Sequence, residues 1–217
     1  MGTRENLLYA RFHLNMRRID DLTNLIVLDI DSLRPTGLFQ SEGVRADILR
    51  TIVVFLHATF EDVLRSMACQ PNKKISFYSS ADIDKVLRQS GLDPRPFKPL
   101  YPPLTQMAKR RKRIVHEADL SKPTDTVSEV WKIVDDWQLI MWLMAVRGFY
   151  YQLRISVNAA SAVERAMCER LRKAMQSHID FGNQLRAFPE VSPELRREAL
   201  QKTAVTLETI VTLLRLS

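Results

Sequence analysis

His116 has the most pointed chemical surroundings of any residue in the chain, because it follows Lys109-Arg110-Arg111-Lys112-Arg113-Ile114-Val115. Histidine is the side chain whose charge changes nearest neutral pH, which suits it to moving protons. A guanidinium beside it can hold a phosphate through two parallel hydrogen bonds and offset the charge that grows in a transition state. Together these groups suit cleavage of a phosphodiester. The other histidines are His13, His57 and His178. His57 shares a helical face with Val53, Phe60 and Leu64 and reads as a core residue, whereas His178 reads as lying on an exposed helix end and His13 on a polar face.

Five adjacent cations, Lys109 to Arg113, repel one another, and such a run points to an anionic partner as well as to a solvated face. The whole chain supports the first reading: Lys+Arg 32 against Asp+Glu 25 gives a formal charge of +7. A polyanion is therefore the first partner to consider. No GxGxxG, GxxxxGK[ST], HExxH or GxSxG occurs, so the common nucleotide-binding, metalloprotease and hydrolase signatures are excluded. Six glycines also argue against a backbone phosphate loop. Cys69 and Cys168 lie too far apart for a CxxC metal site or a disulfide framework, and they suit a reducing compartment. No metal or other cofactor is expected. Trp131, Trp137 and Trp142, with Phe149, Tyr150 and Tyr151, read as core and dimer interface in preference to base-stacking platforms.

These residues must be positioned by helices, since apolar residues recur at helical spacing almost throughout. Leu7, Leu8, Phe12, Ile19, Leu22, Leu25 and Ile26 mark a first helix. A second runs from about Arg45 to Met67, with Leu49, Ile52, Val53, Leu56, Phe60, Val63 and Leu64 forming a stripe wide enough to be buried on more than one side. Six of the ten prolines (Pro71, Pro94, Pro96, Pro99, Pro102 and Pro103) fall in 70–103. That segment is expected to be irregular apart from a short helix at about 81–89 ended by Gly91. Residues 104–118 form the basic helix. From Thr126 to about Asp180 there is no proline and one glycine, so one very long helix and two helices meeting near Asn158 are both open. Ser192-Pro193 opens a final helix to about Leu214. The fold class is therefore all-α. The composition changes near residue 155, suggesting a helical domain over 1–155 and a helical C-terminal extension over 156–217. No signal peptide is apparent and no apolar run approaches the roughly 20 residues that span a bilayer. The chain is expected to be cytoplasmic, without a membrane partner.

Arginine, four to six residues, then histidine is the defining pattern of the HEPN family (higher eukaryotes and prokaryotes nucleotide-binding), and Arg111 to His116 and Arg110 to His116 both satisfy it. Arg50 to His57 and Arg172 to His178 fit the short pattern too, but two longer stretches carry the likeness. Residues 48–65, from Ile48-Leu49-Arg50 through Phe60-Glu61-Asp62 to Arg65, resemble the early helix of the RiboL-PSP-associated HEPN subgroup. Residues 110–119 resemble its arginine-rich helix ending in Ile-Val-His and an Ala-Asp pair, and Val134-Asp135-Asp136-Trp137 follows in the same order.

This resemblance over roughly 1–155 implies a HEPN-like helical bundle that dimerises to form a composite site. It implies a metal-independent endoribonuclease in which a ribose 2′-OH attacks the adjacent phosphate, leaving a 2′,3′-cyclic end, in a toxin or anti-phage defence setting with an antitoxin or defence-system partner protein. By motif match His116 is the acid or base, Arg111 the phosphate anchor and Glu61 the residue that orients them; Lys109, Arg110, Lys112 and Arg113 would bind RNA. Lys112 stands where the family usually has a polar Asn, Asp or His, which leaves open whether Arg110 or Arg111 is the active arginine. A salt bridge from Glu61 to Arg65 accounts for Glu61 equally well. On a straight helix Arg111 lies about 140° around from His116, with Lys109 and Lys112 nearer its face, so a second copy or an irregular helix has to bring the groups together. The alternatives are a non-catalytic HEPN module that binds RNA or a protein and, less favoured without a clear helix-turn-helix pair, a DNA-binding regulator.

Overall fold

A computed structural model describes residues 3–28, 42–68, 79–116, 134 and 136–187. Among these the protein is all-α, with six α-helices and no strand. The helices are α1 (Thr3–Leu28), α2 (Glu42–Met67), α3 (Ser80–Gln89), α4 (Tyr101–His116), α5 (Asp136–Ser156) and α6 (Ala162–Ala187), with a 3-10 turn at Arg95–Leu100 leading into α4. Contacts divide the chain into two compact units, 1–135 and 136–217.

In the first unit α2 is the central element, packed against α1, α3 and α4. The seven-residue stripe that makes it central in the sequence, Leu49 through Leu64, is buried in its entirety. Each such side chain contributes about 1.5–3 kcal/mol by leaving water. From α1, Phe12, Met16 and Ile19 supply the matching buried face, while Leu7 and Leu14 stay exposed. The pair is clipped at its rim by Arg11 Nη2, which donates to Asp62 Oδ1 at 2.9 Å and to Ser66 Oγ at 3.3 Å.

The expected short helix is α3, and its ends are fixed by local chemistry. Ser79 Oγ accepts from the Asp82 N–H (3.2 Å) while the Ser79 N–H donates to Asp82 Oδ2 (3.1 Å), a reciprocal cap. At the other end Gly91 adopts φ +73, and Leu92 N–H donates to Leu87 C=O at 2.9 Å, closing the helix through a left-handed residue that glycine adopts without a Cβ penalty. Pro102 and Pro103 sit in the first turn of α4, where a missing N–H leaves no intrahelical bond unmade. Tyr101 Oη then donates to Asp84 Oδ1 at 2.5 Å, fixing the start of α4 to α3; burial and that carboxylate push the phenol up.

The second unit contains the helical hairpin of α5 and α6, packed against each other. Of the two arrangements open from 126 to 180, the described part is two helices, and the break falls at Asn158. This residue takes φ +55, Asn158 N–H donates to Ile155 C=O, and Ala159 N–H donates to Arg154 C=O at 2.8 Å. Asn is among the few residues that tolerate this conformation. Ser161 and Glu164 cap α6 reciprocally, and Arg154 grips the Glu164 carboxylate at 2.9 and 3.2 Å. The units divide at 135/136 and not near 155, because the aromatic helix and the Ala- and Arg-rich helix bury each other. Trp142, Phe149, Tyr150 and Tyr151 of α5 are buried. His178 is not exposed as expected but only 2% accessible: α6 continues past it to Ala187, and it extends the buried row Met167, Leu171, Met175. The expected final helix at 192–214, Trp131 and Cys69 lie outside the described residues.

Candidate functional site on the α2–α4 seam

Three residues at intervals of four, His57, Glu61 and Arg65, form a polar row along α2 beside its buried apolar stripe. Glu61 Oε1 lies 3.9 Å from His57 Nδ1, and Glu61 Oε2 accepts from Arg65 Nη2 at 3.3 Å. The Arg65 side chain is 65% exposed, whereas His57 is completely buried. An exposed pair of this spacing is worth about 0.3–0.5 kcal/mol, so Glu61 holds Arg65 only loosely. The adjacent carboxylate, Asp62, turns to Arg11 of α1 instead. One turn of α2 thereby directs two neighbouring acids to different surfaces.

The opposite side of the seam is α4. Its core face is Leu104, Met107 and Ala108, and one step further round the run of five cations is divided by the helical period: Lys109, Lys112 and Arg113 are exposed, Arg111 is half-buried, and Arg110 is only 8% accessible. Arg110 is therefore not part of a solvent-facing row of RNA contacts. Arg111 is close enough to α2 for its charge to act on His57. Burial first, then the Arg111 and Arg65 guanidiniums, lower the His57 imidazole from its ordinary 6.5 to about 4. At neutral pH His57 is consequently uncharged.

The Arg111 and Arg65 charges thus both act on His57, and Glu61 Oε1 lies 3.9 Å from its Nδ1. No irregular helix brings Arg111 round to His116: α4 is α-helical without a break from Tyr101 to His116. By register His116 shares the side of Lys109 and Lys112 and lies about 140° around the axis from Arg111. Its side chain lies outside the described residues. His57 is sealed from solvent and cannot touch a substrate, in keeping with the core role read from its spacing. Burial raises the Cys168 thiol, which faces Gln152 Oε1 at 4.0 Å, so it is protonated and unsuited to attack. Sequence reasoning gave Arg65 only a structural role; its place beside the same ring as Arg111 depends on the pairing of α2 with α4.

Among the described residues no group of three or more His, Cys, Asp or Glu is placed to hold a metal ion, and no helix is long and apolar enough to cross a membrane. Comparison with family models, curated proteins and solved structures gives no match.

Proposed function

We propose that the protein is a HEPN-like, metal-independent endoribonuclease acting as a homodimer. The observation that supports this reading is the packing of the basic helix α4 against α2, which carries Glu61, with half-buried Arg111 five residues before the one histidine of α4. The preferred anchor is Arg111, because Arg110 is buried. In the proposed reaction Arg111 holds the scissile phosphate, Glu61 orients its surroundings, and His116 moves the proton as the ribose 2′-OH attacks phosphorus and the 5′-oxygen leaves. Lys109, Lys112 and Arg113 attract the chain of phosphates on either side. Because one straight helix separates Arg111 from His116, the complete site takes His116 from one copy and Arg111 from the other.

The test is cleavage of single-stranded RNA in EDTA by the purified protein. His116→Ala should reduce the rate by about 10²-fold or more, the usual worth of a general acid or base, with helicity and dimer retained. A wild-type rate in that variant overturns the role of His116. The same straight geometry of α4 favours a second reading, a non-catalytic module that binds RNA or a partner protein. Intact RNA after incubation with the unsubstituted protein, with binding weakened by Arg111→Ala and not by His116→Ala, selects it.

A further inference from the structure

We propose that the outer face of α6 binds the phosphate backbone of a single-stranded RNA; the inference rests on the RNA-directed reading above and gives that RNA a second attachment. Within 165–173 the helix carries Arg165, Arg170, Arg172 and Lys173 against one acid, Glu169, and all five are exposed. The acid before them, Glu164, is engaged at the start of the helix, where it caps α6 and binds Arg154 of α5. Glu169 lies 4.0 Å from Arg172 Nη1 and 3.8 Å from Lys173 Nζ, so two cations share one carboxylate. Among the described residues no acid or hydrogen-bond acceptor is paired with the side chains of Arg165 and Arg170. Four cations against one acid leave three positive charges in excess over about 12 Å of helix axis, the length over which a stacked strand presents about three to four phosphates. The clustering is unfavourable without an anion: Arg165 stands in the first turn, where the helix dipole opposes a cation, and Arg170 and Lys173 repel each other three residues apart. Arg172 is also held in place. Its Nη2 donates at 2.6 Å to Oε1 of Gln152, an α5 side chain that is itself buried, while the arginine side chain stays 44% exposed. The buried amide fixes the guanidinium on this face and leaves further N–H groups preorganised for an oxyanion.

The experiment measures binding of a single-stranded 2′-O-methyl oligoribonucleotide, which lacks the attacking hydroxyl and stays intact, to the full chain by fluorescence anisotropy over a salt series. Arg165→Gln and Arg170→Gln together should weaken binding about tenfold or more at low salt and reduce the magnitude of the log K against log salt slope by about 1.4, twice the single-strand value for one phosphate contact. Arg165→Lys with Arg170→Lys should keep the slope, since both charges remain. Arg95→Gln controls for bulk charge: Arg95 is exposed, but its Nε is held by both oxygens of Asp93, and its loss should leave the slope unchanged. An equal fall in slope per charge removed at Arg95 and on α6 reduces the effect to net charge and overturns the inference. A slope in the α6 double variant equal to that of the unsubstituted protein also overturns it, and the RNA-directed reading stands if Lys109→Gln with Arg113→Gln still lowers the slope. A fall in the α6 variant with none in that α4 variant upholds the inference and overturns the placement of RNA on α4. Failure of the unsubstituted protein to bind the oligonucleotide at all overturns both. Helicity by circular dichroism confirms that each variant is folded.

Discussion

Replacing His57 with phenylalanine tests whether the α2–α4 seam has the electrostatics described for it. His57 binds a proton at about 4 in the folded chain against 6.5 ordinarily, because burial, Arg111 and Arg65 all oppose its charged form. Between those two values the unfolded chain binds the proton and the folded chain does not, so stability rises with pH across the window and is lost as pH falls through it. The full effect is about 3 kcal/mol, and the part developed between pH 7 and pH 5 is about 2 kcal/mol. Phenylalanine has a similar shape and no proton to bind. The groups facing the ring, Glu61 and Arg65 from α2 and Arg111 from α4, are the same in both proteins, as is every other titrating residue. Urea unfolding at 25 °C, at pH 7, 6 and 5, should therefore show wild-type stability falling by about 2 kcal/mol more than that of His57→Phe. Parallel profiles for the two proteins would refute the burial of a neutral imidazole at position 57. A pH-dependent loss that is larger in the variant would refute the sign.

Two further expectations concern the scaffold. Leu56→Ala, in the fully buried stripe of α2, should cost about 2–5 kcal/mol in urea unfolding, and a cost below 1 kcal/mol would contradict the central place of that helix. Asn158→Val should destabilise the protein by about 1–2 kcal/mol because a β-branched residue is forced to positive φ, whereas Asn158→Gly should be neutral or better; equal thermal midpoints for the two variants would contradict the left-handed cap.

The helices were legible because their apolar residues keep helical spacing, and Gly91 ended α3 where a left-handed cap was needed. Asn158 was a weaker signal, since Asn tolerates positive φ without demanding it. The change near 155 marks a shift from aromatic to Ala- and Arg-rich sequence, but two helices of different composition can still form one hairpin, and composition carries no information about which faces meet. His178 was misplaced for a related reason: its spacing from Leu171 and Met175 puts it in the buried row, but only if α6 runs beyond 180. At the site, the Glu61–Arg65 pair follows from a local interval of four. The influence of Arg111 on His57 does not, because it arises from two helices separated by more than 30 residues of chain packing side by side. The run Lys109 to Arg113 is uniform in charge, so nothing in it distinguishes buried Arg110 from its exposed neighbours; the apolar residues at 104, 107 and 108 set the phase.

The unbroken geometry of α4 makes it a ruler as well as a carrier of charge. With about 1.5 Å of rise per residue, Arg111 and His116 are held about 7.5 Å apart along the axis, and their angular offset is as fixed as their distance. Side-chain substitutions between them leave both quantities intact, whereas adding or removing one residue swings His116 by about 100° relative to everything α2 contacts. Ile114 and Val115 thus serve through their number as much as their identity. For the proposed site, the chain length between Arg111 and His116 therefore matters as well as the side chains that fill it.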